Sequence, residues 1–315
     1  VTDPMRLLVT GGAGFIGSNF CQLAVERHEV VVIDKLTYAG SLANLEGLAL
    51  EFVEGDVTDP ADVERALARA KPDAIVHFAA ETHVDRSLAD PAPFLKTNVI
   101  GTQVLLDAAR ASRVARFLQI STDEVYGPMG PDETANEDAP LRPSSPYAAS
   151  KAAADLLVLA ARHTWGLPAI IARPSNNYGP RQYPEKAIPL FLVNALAGRP
   201  LPVYGDGLQE RDWLYVEDCA GALLALVEAR ELRHTIYNIS FGRPRPNIEV
   251  ARALLRLVGR DDSLIAHVAD RPGHDRRYAP DSSRIRDELG WRPRVDFDEG
   301  LRRTVEWYAA KGARS

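Results

Sequence analysis

Short apolar, β-branched runs recur through the first half of the chain, at Arg6–Thr10, Val30–Asp34, Glu51–Glu54, Ala74–Phe78, Ala115–Ser121 and Pro168–Arg173. Runs of this length, bounded by polar or turn-forming residues, read as strands buried on both faces. Between them, apolar positions return at helical spacing, as in Val63 and Leu67 after Asp59-Pro60, and Val104, Leu105 and Ala108 after Asn98. Strand alternating with helix predicts an α/β protein built on a doubly wound parallel sheet.

The texture changes after about Asn176. Loops rich in Pro and Gly (Tyr178-Gly179-Pro180, Gly198-Arg199-Pro200, Tyr204-Gly205-Asp206-Gly207) alternate with shorter helices, which predicts a smaller C-terminal lobe. Arg233–Ile239 reads as one more strand returning to the large sheet. The expected division is therefore 5–177 plus a returning segment near 213–242 for the sheet domain, with 178–212 and 243–315 forming a substrate lobe. A ligand would sit between them.

Composition narrows the function. With 46% apolar residues, 315 residues can fill a large core without staples, and Cys21 and Cys219, each in a helix-like segment, suggest neither a disulfide framework nor a Cys-based metal site. Against 37 Lys and Arg stand 43 Asp and Glu, a net charge of −6, so no basic footprint for nucleic acid or an anionic membrane is present. The start, Val1-Thr2-Asp3-Pro4-Met5, lacks signal-peptide character and no run has membrane-spanning length, so the cytoplasm is expected.

Gly11-Gly12-Ala13-Gly14-Phe15-Ile16-Gly17 follows the first strand and opens a helix. Small residues there let the backbone approach a pyrophosphate at a helix N-terminus, a Rossmann-type arrangement for a dinucleotide. Asp34 ends the next strand, 17 residues after Gly17, where its carboxylate can accept the adenosine ribose hydroxyls and repel an NADP phosphate. The expected cofactor is NAD. Asp56-Val57, after the third strand, lies where adenine could be held, although Asp56 reads equally well as a helix cap or turn acid.

Two further segments converge on the nicotinamide end: Ser121-Thr122-Asp123-Glu124-Val125-Tyr126-Gly127 at a strand end, and Tyr147-Ala148-Ala149-Ser150-Lys151 at a helix start. The second places Tyr147 and Lys151 one turn apart on one face. An adjacent ammonium and a cationic nicotinamide both favour a phenolate, making Tyr147 a candidate base toward a sugar hydroxyl.

The Gly-x-x-Gly-x-x-Gly turn together with Tyr-x-x-x-Lys resembles the extended short-chain dehydrogenase/reductase superfamily. Within it, the segments His77–Ser87, Ser121–Gly127, Ser145–Lys151, Arg173–Pro180, Pro184–Lys186, Leu201–Gly205, Arg211–Asp218 and Asp270–Tyr278 resemble the dTDP-glucose 4,6-dehydratase family. The discriminating pair is Asp123-Glu124; related epimerases carry small or hydroxyl residues there and nucleotide-sugar decarboxylases tend to carry Ser-Glu. The resemblance implies that Tyr147 takes the 4-hydroxyl proton, a hydride leaves C4 for NAD, Glu124 removes the C5 proton and Asp123 protonates the departing 6-hydroxyl. The hydride then returns to C6. Thr122 would bond the C4 oxygen. Two adjacent acids can hold two roles only if the backbone turns, as Gly127-Pro128 suggests; the same cluster also reads as a helix cap.

The resemblance also implies cofactor contacts from Gly11, Gly14, Phe15, Ile16, Gly17, Asp34, Lys35, Thr37, Asp56, Val57, Phe78, Ala79, Ala80, Thr97, Tyr147, Lys151 and Asn177. Substrate contacts would come from Thr82, Thr122, Asn176, Lys186, Pro202, Tyr204, Arg211, Asn247, Asp270, Arg271 and His274. Plainer readings stand beside these: Asn177 as a turn residue, Thr97-Asn98 as a helix cap, His274 as a turn filler, and each Arg or Lys as part of a solvated face. No metal site is expected. Helices Asn98–Arg110 and Pro146–Thr164 resemble a four-helix homodimer interface, or pack internally. The loop Ser240-Phe241-Gly242-Arg243-Pro244-Arg245-Pro246 replaces the family's usual Gly-Gly and leaves base and sugar preference open. Alternatives are a related nucleotide-sugar epimerase or decarboxylase, and a non-catalytic NAD-binding sensor.

Overall fold

The computed structural model describes residues 3–312; Val1-Thr2, and positions 313–315 of the expected second lobe, lie outside the described residues. The first half alternates β1 (Arg6–Thr10), α1 (Phe15–Ala24), β2 (Glu29–Asp34), β3 (Glu51–Glu54), α2 (Pro60–Ala70) and β4 (Ala74–His77). It continues through α3 (Val84–Ala89), α4 (Ala92–Phe94), α5 (Gly101–Ser112), β5 (Arg116–Ile120), α6 (Pro146–Trp165) and β6 (Ala169–Pro174). Local chemistry sets the helix ends. Ser145 caps α6 by accepting the Ala148 N–H at 3.1 Å, Pro146 fills the first turn where no N–H is needed, and Gly166 ends the helix at φ 66°.

One local expectation is corrected. Thr97-Asn98 do not cap a helix, because the chain is already helical from Ala92 and passes through a π-helical stretch, Leu95–Ile100, into α5. Asn98 is used across the fold instead: it accepts the Glu81 N–H at 2.8 Å and donates to the Glu81 carbonyl at 3.0 Å and to Ser150 Oγ at 2.8 Å.

The second half contains β7 (Asn176–Tyr178), α7 (Ala187–Leu196), β8 (Leu201–Tyr204), β9 (Glu210–Arg211), β10 (Trp213–Tyr215) and α8 (Val216–Glu228). Then follow β11 (Ile236–Ile239), β12 (Arg245–Pro246), α9 (Asn247–Leu257), β13 (Ile265–Val268), α10 (Ser283–Leu289) and α11 (Phe297–Gly312). The large sheet has the order β11-β6-β5-β4-β1-β2-β3 and is parallel throughout, so the expected doubly wound Rossmann-type α/β class is what the chain adopts. The order reverses between β1 and β4, which opens a crevice at the strands' C-terminal ends.

Strand alternation divides the core in two. Leu7, Val9, Val30 and Val32 face Phe20 of α1 and Leu223 and Val227 of α8, whereas Leu8, Ile33, Ile75, Phe117 and Ile171 face Val63, Leu67, Leu105 and Val158 on the opposite helices. A separate core of Tyr178, Phe191, Leu201, Trp213, Leu254 and Phe297 holds α7, α9 and α11 around the short parallel pairs β7–β10 and β8–β13. Cys21 and Cys219 are buried free thiols. Among the described residues no helix is long and apolar enough to cross a membrane.

Candidate active site

The glycine turn is closed by steric need on one side and open on the other. A Cβ on Gly11, at φ 67°, would lie 2.6 Å from Ala79 N, and one on Gly17 would lie 2.4 Å from Gly11 O. At Gly14 it would meet only Gly11 O, at 3.2 Å, so this side of the turn is free to cradle a diphosphate. Phe15 and Ile16 begin α1, whose N-terminus faces the same space.

Asp34 is fixed beside the turn, accepting the Ala13 N–H at 3.0 Å and the Leu36 N–H at 2.9 Å. Lys35 Nζ reaches Thr97 Oγ1 at 3.5 Å and Asp56 Oδ2 at 3.6 Å, joining the ends of β2 and β3 to the π-helical stretch. Asp56 is a turn acid, its Oδ1 accepting the Thr58 N–H at 2.9 Å, while Asp59 caps α2. Val57 is buried behind it. Thr37 opens a turn closed by the Gly40 N–H, and Phe78-Ala79-Ala80 leave β4 with the Ala79 N–H bonded to Thr10 Oγ1 at 3.2 Å. The glycine turn, Asp34, Asp56 and Phe78-Ala79-Ala80 all follow the C-terminal ends of neighbouring parallel strands, β1, β2, β3 and β4.

The backbone does turn at the acid pair. Asp123–Tyr126 is a single 3₁₀ turn capped by Thr122, whose Oγ1 accepts the Glu124 N–H at 3.3 Å, so the cluster is the helix cap that the plainer reading expects. Gly127 ends it at φ 75°, where a Cβ would lie 2.1 Å from Arg142 O. The turn separates the two carboxyls by environment. Asp123 is 1% exposed, its Oδ2 has no hydrogen-bond partner, and burial followed by the charges of Glu124 and Asp212 pushes its pKa well above the usual carboxylate range. Burial also raises Glu124, but Arg211, Lys186 and Arg271 pull it back.

Tyr147 faces this pair from α6, its hydroxyl beside the Thr122 side chain, and Lys151 follows one turn later. Burial, then Glu124, pushes the phenol upward, so the chain by itself keeps Tyr147 protonated; the phenolate expected from the sequence needs positive charge brought by a ligand. Lys151 donates to the Ile120 carbonyl at 2.5 Å, and burial pushes its pKa down to about 8, opposed by Asp155.

On the facing lobe, Lys186 donates to the Thr82 carbonyl and is lowered by burial. Arg211 is buried, its two terminal nitrogens bonded to the carbonyls of Glu210 at 2.8 Å and Asp275 at 2.9 Å. Arg271 pairs with Asp85 at 3.1 Å, and Tyr204 donates to the same carboxylate at 3.0 Å. Asp270 forms a separate group, accepting from Gln209 at 2.9 Å and meeting His274 Nδ1 at 2.6 Å, so His274 is paired as well as placed in a turn. The Asn247 N–H bonds the Gln209 carbonyl at 2.9 Å, and Pro202 sits in β8 beside Ala266 of β13. Asn176 and Asn177 lie on β7, and Asn177 is not in the expected turn, because Leu214 of β10 pairs with it as Trp213 does with Asn176. Both side-chain oxygens are buried without a partner.

Several site residues escaped sequence reasoning. Asp85 ties Arg271 to Tyr204, and Glu185 accepts from Tyr38 at 3.0 Å beside His83 and Arg86. Asp212 accepts the Phe241, Gly242 and Arg243 N–H groups at 2.7, 2.6 and 2.8 Å and the Ser175 hydroxyl at 2.7 Å. That nest holds the bulky 240–246 loop. Position next to Arg211 was its one sequence signal.

The profile of the GDP-mannose 4,6 dehydratase family matches residues 8–304. The chain is 51% identical to a dTDP-glucose 4,6-dehydratase of Xanthomonas campestris pv. campestris, covering 96% of this chain and 92% of the relative. It is 49% identical to the dTDP-glucose 4,6-dehydratase of Neisseria gonorrhoeae, covering 96% and 95%. The chain belongs to the dTDP-glucose 4,6-dehydratase family. Its fold matches the crystal structure of DesIV, a family member from Streptomyces venezuelae with NAD and TYD bound, at a TM-score of 0.94 and 47% identity over 98% of each chain. A UDP-glucose 4-epimerase of Thermus thermophilus, in complex with NAD, superposes almost as well, at 0.92 and 36% identity over 97% of this chain and 99% of the epimerase. Fold alone therefore does not separate dehydration from epimerisation.

Proposed function

We propose that this protein is an NAD-dependent lyase that converts dTDP-glucose to dTDP-4-keto-6-deoxyglucose and water. The observation that carries the reading is the 3₁₀ turn holding a buried Asp123, a weakened acid, beside a Glu124 on which three cations oppose the effect of burial. An epimerase has no use for such a pair; elimination across C5 and C6 needs both an acid and a base.

NAD, when bound on the glycine turn and Asp34, supplies the redox chemistry by taking the C4 hydrogen as hydride and returning it to C6. Tyr147 accepts the 4-hydroxyl proton, Lys151 stabilises the phenolate and Thr122 orients the C4 oxygen. The new ketone acidifies C5, and Glu124 takes that proton while Asp123 gives its own to the 6-hydroxyl, which leaves as water. Glu124 then returns its proton to C5. Lys186, Arg211 and Arg271 neutralise the diphosphate, and Asn176, Asn247, Asp270 and His274 enclose the nucleoside. The sheet and the second core flank this path in the reading proposed.

The functional unit in this reading is a cytoplasmic homodimer. Leu95, Ile100 and Leu156 are 52, 55 and 58% exposed on the π-helical stretch and α6, which supports an apolar face taken by a second copy. The deciding experiment uses dTDP-glucose deuterated at C4. Product carrying the label at C6 supports dehydration, whereas a label held at C4, or lost to solvent, refutes it.

A further inference from the structure

Asp155 is fully buried and has no part in the chemistry above. It stands on α6 four residues beyond Lys151 and eight beyond Tyr147, so the three share a helix face. Its Oδ2 accepts Arg173 Nε–H at 2.9 Å, Arg173 donates to the Tyr126 hydroxyl at 2.9 Å, and Tyr126 donates to Asn238 Oδ1 at 2.7 Å. Asn238 in turn donates to the carbonyls of Ala135 and Asp281, each at 3.0 Å. A continuous chain of bonds thus runs from β11, across β6, to the helix bearing Tyr147 and Lys151.

Asp155 and Ser121 are both buried, the Ser121 side chain stands within reach of the Asp155 carboxylate, and Lys151 lies within the field of that carboxylate. A buried ion pair is poor evidence for stability, since desolvation offsets its attraction. Its placement one turn beyond a buried lysine points elsewhere. We propose that Asp155, clamped by Arg173, is a positioning residue that holds the Lys151 side chain in place as a cation beside Tyr147.

The groups facing Lys151 can be named. Tyr147 and Asp155 share its helix, Arg173 of β6 is bonded to the far side of Asp155, and His77 on β4 is kept neutral by burial and by Lys151. Burial drives Lys151 toward its neutral form, and Asp155 opposes this. Without the carboxylate, the ammonium would be lost at lower pH.

The proposal rests on the dehydratase reading, which wild-type C4-label transfer tests by itself. The variant is Asp155→Asn in the full-length holoenzyme, followed by kcat against pH with dTDP-glucose. The alkaline limb is expected to move to lower pH by about one unit or more, as for loss of a buried charge one helical turn away, while KM changes less than about threefold. A uniformly lower kcat with an unmoved limb overturns the proposal. Should Asp155→Asn fail to fold, the double variant Asp155→Asn/Arg173→Gln removes both buried charges and carries the same expected limb. Failure of both to fold makes the pair structural and likewise overturns it.

Discussion

Replacing Asp123 with Asn separates the chemistry of the acid from its place in the fold. Asn has nearly the same volume and keeps an oxygen for the Thr122 hydroxyl, which donates to Asp123 Oδ1 at 3.4 Å. What it lacks is a proton for the departing 6-hydroxyl. General acids of this kind contribute ~10²–10⁴ to rate, so kcat should fall by that factor, or ~3–5 kcal/mol of barrier. Glu124 remains, so in deuterated water the variant should still exchange the C5 hydrogen of dTDP-glucose while forming almost no keto-deoxy product.

Stability should move the other way. Asp123 has a raised folded-state pKa, so above the ordinary carboxyl value near ~4 the unfolded chain gives up its proton more readily than the folded chain, which disfavours folding as pH rises. Each tenfold weakening of the acid corresponds to ~1.4 kcal/mol. Asp123→Asn should therefore melt higher than wild type at pH 7, with the difference vanishing below about pH 4. A variant with wild-type turnover would remove Asp123 from the mechanism. One less stable than wild type at pH 7 would show that its buried carboxyl is ionised.

Two other perturbations test the cofactor turn and the assembly. In Gly17→Ala the new Cβ would lie 2.4 Å from Gly11 O and 2.9 Å from Gly12 Cα, both backbone. Relief by backbone movement should cost about 1–3 kcal/mol and lower the NAD content per purified chain, read by melting temperature and by chromatography of released nucleotide. Leu156→Glu puts a charge at the centre of the exposed α6 face and should convert dimer to monomer in light scattering, with little change in melting of the isolated chain.

Much of the fold was legible because its signals are local. The strands of the large sheet announce themselves as apolar runs, and the glycine turn, Asp34, Tyr147 and Lys151 lie at spacings fixed by one turn or one βα unit. What stayed hidden depends on partners far along the chain. Asn177 reads as a turn residue until Leu214 pairs with it, and Asp85 has no distinguishing context until Arg271, 186 positions away, arrives. Asp155 was within reach of a local argument, since it follows Lys151 at helical spacing. Its partner Arg173 was not, because only the sheet brings β6 beneath α6.

Arg211, Lys186 and Arg271, expected from the resemblance to contact the substrate and proposed above to neutralise its diphosphate, are also the charges that restrain Glu124. The two duties are coupled. With the cleft open, the three cations draw the Glu124 carboxyl toward ionisation against the pull of burial. A bound diphosphate would take up much of that positive field and add negative charge of its own, so the same carboxyl becomes a stronger base when substrate is present. The acid limb of kcat, which reports the complex, should accordingly lie at higher pH than the acid limb of kcat/KM, which reports the free enzyme. Coincident limbs would mean that the diphosphate cations and Glu124 act independently. Separated limbs would show that the NAD-binding fold shared with epimerases is turned to elimination by substrate charge as well as by the acid pair, with Glu124 gaining its basicity when the nucleotide sugar is in place.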